Sequence, residues 1–265
     1  MKKLIALLFS FILFQTICSK NIIQISMPKA GTHLLRKCIG LLTGIPLSQT
    51  HTSKPYPSGF YLVDPGVFAR GTTHATHWIT HLFFNEEFVP FLNNEKSAIF
   101  FIYRDPRDQI ISFAHYMLRP KIYWYSEASA LSFDDLVLSL IESGKIYKNH
   151  PPCENINDLY QSYMPWFSAP HVCSICFEDL VGPKGGGDLE KQIESIKLIA
   201  DHLGIVLTDK KLNHVVSNLF GPSPNFRRGQ IGDWKLHFKE YHKEAFKRVA
   251  GQLLIDLGYE KDFDW

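Results

Sequence analysis

Ile22, Ile23, Ile25 and Met27 form a short apolar run, and after it the spacing of apolar positions changes. Leu34, Leu35, Cys38, Ile39, Leu41 and Leu42 recur at helical intervals, so a buried strand is predicted to run through a turn at Pro28 to His33 into an amphipathic helix. A second apolar run, Ser97 to Tyr103, suits a central parallel strand and stops abruptly at Arg104, Asp105, Pro106, Arg107 and Asp108. Pro106 fits the first turn of a following helix whose second turn carries Ser112. Further on, Val172 to Phe177 reads as a strand. Leu189 to Leu203 reads as a helix stopped by Gly204, and Phe246 to Leu257 as another stopped by Gly258. This alternation predicts an α/β fold, a three-layer α/β/α sandwich around a central, mainly parallel sheet.

Composition narrows the picture only a little. The 265 residues are 45% hydrophobic and 20% charged, as expected of one globular enzyme domain, and a net charge of +2 is too small for bulk nucleic-acid binding. Met1-Lys2-Lys3 followed by Leu4 to Phe14 has the charged start and apolar centre of a secretory signal, yet is short for a membrane span. Residues 1–19 are therefore read as a signal peptide or short N-terminal anchor and 20–265 as the domain. The location taken is secreted or membrane-associated, with a cytoplasmic one as the alternative. Cys173 and Cys176 lie three apart in a strand, point to opposite faces and read as buried filler; Cys18, Cys38 and Cys153 show no disulfide spacing. Gly185-Gly186-Gly187 reads as a flexible connector before Asp188, a candidate helix N-cap.

Candidate chemistry gathers in three places. In Pro28-Lys29-Ala30-Gly31-Thr32-His33, Gly31 lets backbone approach an anion, the N–H groups of the helix start point at it, and Lys29 adds a full charge. A polyanionic nucleotide fits such a loop, although a plain strand-turn-helix corner would look the same. It is not a Walker A sequence, because Lys29 precedes the glycine. Arg104 stands at the carboxyl end of its strand, the edge where open α/β sheets bind ligands, so a guanidinium and the Ser112 hydroxyl can share one phosphate. Asp105, Arg107 and Asp108 read as a cap network fixing the turn. Asn225 to Phe238 sets Arg227 and Arg228 beside Gly229 and Gly232, then an exposed-looking Trp234.

Together, Pro28 to Thr32, Arg104 with Ser112, and Arg227-Arg228-Gly229 through Gly232-Asp233-Trp234-Lys235 resemble the signature regions of the sulfotransferases that use 3'-phosphoadenosine-5'-phosphosulfate (PAPS). The resemblance implies a P-loop-like fold and a sulfuryl transfer from PAPS, released as 3',5'-ADP, to a hydroxyl or amine. It implies that Lys29, Gly31 and Thr32, with Ala30 and His33 in the same loop, hold the sulfated 5' end. It assigns Arg104, Ser112, Arg227 and Gly229, with Arg228 beside them, to the 3'-phosphate. The family's base begins a Thr-His-Leu segment, which Thr80-His81-Leu82 matches, so His81 is the expected base and Lys29 the group that meets charge on the leaving phosphate.

His74 and His77 are read as surface or turn histidines, and no metal is expected. Ile79 departs from a frequent lysine, His33 from a hydroxyl residue and Leu34 from a tryptophan that stacks on adenine. Phe220 is then either a substitute platform or a core residue. The family's dimerisation motif lacks its Thr-Val pair here, which leaves the oligomeric state open. Tyr56, Phe60, Tyr61, Phe68, Tyr123, Trp124, Tyr125 and Tyr147 can line an acceptor pocket or pack as lids. A small hydroxylated acceptor is preferred, carbohydrate and protein acceptors stay open, and no nucleic-acid partner is expected. The alternatives are a non-catalytic nucleotide-binding module and, behind it, a P-loop kinase.

Overall fold

The computed structural model describes residues 21–44, 53–55, 61–63, 77–92, 97–122, 124–142, 155–223 and 225–265. Strand β1 (Asn21–Ser26) is buried along its whole length, as a strand covered on both faces must be. It leads into helix α1 (Thr32–Thr43). A small antiparallel pair follows, β2 (Ser53–Pro55) and β3 (Tyr61–Val63), then β4 (His77–Thr80) and a single turn, α2 (Val89–Leu92). Strand β5 (Ser97–Tyr103) feeds α3 (Pro106–Met117), and α4 (Tyr125–Ser129), α5 (Phe133–Glu142) and α6 (Ile156–Gln161) precede β6 (Val172–Cys176). The remainder is helical: α7 (Phe177–Val181), α8 (Leu189–His202), α9 (Asp209–Leu219) and α10 (Glu240–Asp256).

Among the described residues the main sheet has the order β4-β1-β5-β6, with every pairing parallel. Its two faces bury different helices, because successive strand side chains alternate. Ile23, Ile25, Ile99 and Phe101 pack with residues of α3, α5, α6 and α10. Ile22, Phe100, Ile102, Cys173 and Ile175 pack with α1, α8 and α9. The predicted α/β/α sandwich is the observed fold. In register, Ile25 pairs Thr80 and Ser26 pairs Ile102, so the carboxyl ends of β4, β1 and β5 finish at one level and deliver His81, the 27–31 loop and Arg104 side by side.

Element ends follow the expected caps. Asp105 caps α3 by accepting from the Arg107 N–H, and Asp188 caps α8 by accepting from the Glu190 and Lys191 N–H groups. Helix α10 begins six residues before the predicted Phe246, with His242 Nδ1 accepting from the Lys239 N–H at its start. Cys173 faces the second core, whereas Cys176 lies beside Glu178 and Tyr259; burial pushes both thiols up to about 12.

Three expectations need correction. The secreted or membrane-associated location is withdrawn: among the described residues no helix is long and apolar enough to cross a membrane, and residues 1–19, on which that reading rested, lie outside them. Trp234 is buried, at 6% exposure, because it stacks on Arg107. The 185–187 glycines are not a loose connector. A Cβ on Gly185 would lie 2.7 Å from the Gly229 carbonyl oxygen and one on Gly187 2.7 Å from that of Glu178, so this turn is packed tightly against its neighbours.

Candidate active site

The 27–31 loop leaves β1 in a turn closed by the Ala30 N–H on the Met27 carbonyl (3.2 Å), with Lys29 at φ 68° and Gly31 at φ 111°. Gly31 is required twice over. Its φ is one that side chains rarely adopt, and a Cβ there would meet the Phe177 ring at 2.7 Å. No side chain caps the start of α1, which leaves that helix end to other acceptors. Gln109 of α3 clamps the loop by donating to the Pro28 carbonyl (2.8 Å), and Gln24 donates to the Thr32 carbonyl (2.6 Å). Ala30 is fully buried and offers the site only its main chain.

His81 is tied to the same loop. Its Nδ1 lies 2.7 Å from the Ser26 carbonyl oxygen, which can only accept, so Nδ1 carries the hydrogen and the neutral ring keeps its lone pair on Nε2. The Ser26 hydroxyl lies 3.2 Å from Nδ1 and 2.8 Å from the Thr32 hydroxyl, linking His81 to the first residue of α1.

Arg104 is buried over the Phe177 ring (4.2 Å). Its Nη2 donates to Asp108 Oδ2 (3.3 Å) and to the Gln230 carbonyl (2.7 Å). Asp108 in turn accepts from the Gly232 N–H (2.8 Å) and the Trp234 N–H (2.9 Å), fastening the 225–234 segment to α3. Burial raises the Asp108 carboxyl above the usual range despite the Arg104 charge beside it. Arg227 and Arg228 both pair with buried Asp233, the second at 2.9 Å. As expected, Asp105 and Arg107 form a cap network, a fork of 2.8 to 3.2 Å bonds, but Asp108, expected in the same network, turns instead to Arg104 and the Gly232 and Trp234 N–H groups.

A cavity of about 410 Å³ joins these parts. Its walls carry Lys29, Gly31, Thr32, His33, His81, Arg104, Ser112, Arg227, Arg228 and Gly229, which is every residue expected at the site except Ala30. Phe220 and Phe226 cross edge-to-face at 5.7 Å on one side of it, with Leu34. Phe113, Tyr116 and Trp124 line another part, Phe113 lying edge-to-face on Trp124 at 5.6 Å. Tyr56, Phe60, Phe68, Tyr123, Tyr147 and His74 lie outside the described residues, as do the side chains of Tyr61 and His77; Tyr125 is exposed and does not line the cavity. Among the described residues no group of three or more histidine, cysteine or acidic side chains could hold a metal ion.

Several contacts at the cavity were not anticipated. Tyr116 lies under the Lys29 ammonium at 4.4 Å, and Arg119 donates to Asn225 (3.0 Å), whose amide is 3.4 Å from His33 Nε2. A signal existed in part, since Ser112 and Tyr116 are four apart on α3 and share a helix face, with Arg119 two residues beyond the helix end. Burial, then the charges of Arg119, Arg104 and Arg227, lowers Lys29 to about 8. A desolvated ammonium among other cations in a cleft is the kind of perturbed group that functional sites gather.

The family model described as the sulfotransferase domain matches residues 19–258. Sulfotransferase 6B1 of Danio rerio is 24% identical over 189 residues, covering 62% of this chain and 57% of that protein. The amine sulfotransferase of Oryctolagus cuniculus is 24% identical over 181 residues, 63% and 57% of the two chains. The match thus spans little more than half the length of either relative. The crystal structure of mouse sulfotransferase SULT7A1 complexed with PAP superposes with a TM-score of 0.63 at 20% identity, over 91% of this chain and 87% of that one, a likeness of fold. With the family model spanning most of its length, this chain belongs to the sulfotransferase domain family.

Proposed function

We propose that the protein transfers a sulfuryl group from PAPS to a hydroxyl or amine of a small acceptor, by in-line displacement with His81 as base. The acceptor oxygen or nitrogen forms a bond to sulfur as the bond from sulfur to the 5'-phosphate oxygen breaks. The acceptor proton goes to His81 Nε2, and 3',5'-ADP leaves with the bond's electron pair. Lys29 and the N–H groups at the start of α1 meet the negative charge that builds on the leaving phosphate, and fixed donors of this kind supply large catalytic terms. Arg104, Ser112, Arg227, Arg228 and Gly229, which line the same cavity, take the 3'-phosphate. The wall of Phe113, Tyr116 and Trp124 suits the apolar body of a small hydroxylated molecule.

One observation carries this reading. The hydrogen bond from His81 Nδ1 to the Ser26 carbonyl, at the strand end that launches the phosphate loop, sets a base and an anion grip on one rigid edge. That a solved neighbour holds PAP adds support. Incubation with radiolabelled PAPS and a panel of phenols, sterols, amines and sugars should move label to at least one acceptor. His81→Ala should cut turnover by about 10²- to 10⁴-fold, the range of general-base catalysis, with 3',5'-ADP binding kept. Tight 3',5'-ADP binding without transfer to any acceptor would favour the non-catalytic module instead.

A further inference from the structure

The segment 257–265 lines no part of the cavity, yet it touches the groups that hold Arg104. After α10 ends, the Tyr259 and Glu260 N–H groups both reach back to the Leu254 carbonyl (2.8 and 3.2 Å) and turn the chain under α3. Gly251 makes room for the turn, because a Cβ there would lie 2.4 Å from the Phe263 ring. Trp265 then packs edge-to-face on Trp234 (5.5 Å) and Phe246 (6.1 Å). Arg107 lies against both indoles, 4.1 Å from Trp234 and 4.6 Å from Trp265, and its Nη1 donates to Glu260 (2.5 Å). Its remaining donors grip Asp105. On the other flank the Tyr259 hydroxyl donates to Glu178 Oε2 (3.0 Å), while Glu178 Oε1 accepts from the Asp105 N–H (3.1 Å) and lies 3.9 Å from Arg104 Nε.

We propose that this segment is a positioning strap for the 3'-phosphate grip: Trp265 and Glu260 act through Arg107 and Asp105, and Tyr259 acts through Glu178, to fix the backbone and guanidinium of Arg104. The inference rests on the donor reading above and adds residues that no motif at the site contains. Arg104 is buried and cannot reorient through solvent, so its aim depends on the two carboxylates and the Gln230 carbonyl beside it and on the Asp105 turn. Both the Asp105 turn and Glu178 are braced from the strap. A misaimed guanidinium loses a forked contact to phosphate while leaving the acceptor wall untouched.

The test measures 3',5'-ADP affinity by calorimetry and separate KM values for PAPS and acceptor in Tyr259→Phe, Trp265→Ala and Trp265→Phe. Tyr259→Phe and Trp265→Ala should weaken 3',5'-ADP binding about tenfold and raise the donor KM with the acceptor KM unchanged, as loss of a pre-set geometry predicts. Trp265→Phe should restore most of the affinity by keeping an aromatic face for Arg107. Should Trp265→Ala fail to fold, Tyr259→Phe, which removes one hydroxyl, decides alone. Wild-type affinity in Tyr259→Phe, or donor and acceptor KM values rising together, overturns the strap. A wild-type protein that binds no 3',5'-ADP removes the donor reading and the strap with it.

Discussion

Lys29 carries two costs at once, which is a reason to read it as functional. It is a non-glycine residue in the left-handed region, at φ 68°, and its ammonium is desolvated over Tyr116 among other cations. Strain of this kind persists where surrounding structure holds it, commonly at ligand sites. A bound polyanion would relieve the repulsion from Arg119, Arg104 and Arg227 and return Lys29 toward its ordinary value. Binding of 3',5'-ADP should therefore take up a proton above about pH 8, and affinity should fall as pH rises through that value. Two substitutions separate charge from backbone. Lys29→Gly and Lys29→Ala should lose the pH dependence equally, while the glycine variant is the more stable by about 1 kcal/mol, because only alanine keeps the left-handed strain. Calorimetry across pH and urea unfolding measure the two effects; a glycine variant with wild-type affinity and pH profile would remove Lys29 from the anion grip.

At the scale of elements, the site depends on one loop resting on another. The 182–187 turn supplies the Gly185 carbonyl to the Ile231 N–H (2.9 Å) and the Lys184 carbonyl to the Gln230 side chain (2.9 Å). The Gln230 carbonyl in turn receives Arg104. A methyl on Gly185 would meet Val181 at 2.3 Å and the Gly229 oxygen at 2.7 Å, so the two loops must part. Gly185→Ala should cost about 1 to 3 kcal/mol as overpacking does, and should weaken 3',5'-ADP binding, with thermal unfolding and calorimetry as readouts. A variant with unchanged affinity would show the two loops to be independent. This turn also marks where sequence reading stops. The strand-loop-helix of 21–43, the charged end of β5 and the cap at Asp188 were legible because each is written in neighbouring residues. Gly185 against Gly229, Trp234 against Arg107 and Tyr259 against Glu178 join positions 44 to 127 residues apart, and nothing local to either partner announces the contact.

Over the whole molecule, the same cationic cleft reaches into stability. His115 of α3 packs against Phe133 of α5 (4.6 Å) and His237 (5.4 Å). Burial, then the charges of Arg227 and His237, lower it to about 4; Asp233 opposes them and Arg119 adds a smaller push. His237 is lowered too, first by burial. A histidine lowered in the folded state takes its proton first when unfolded, so between about pH 6.5 and about 4 the unfolded chain binds more protons and stability falls on acidification. The carboxyls of Asp108 and Glu178 are raised by burial and pull the opposite way at the acid end, so the whole-protein curve mixes both signs. Comparison with His115→Gln isolates the histidine: wild type should lose stability relative to the variant as pH drops from about 6.5 to about 4, measured as urea midpoints along a pH series. Parallel curves would clear His115 of that role. Saturating 3',5'-ADP extends the test, because a phosphate on Arg227, as proposed above, would offset one of the charges that add to burial in lowering His115. The gap between wild type and variant should then narrow, coupling an acid-sensitive, half-buried histidine to occupancy of the proposed donor site.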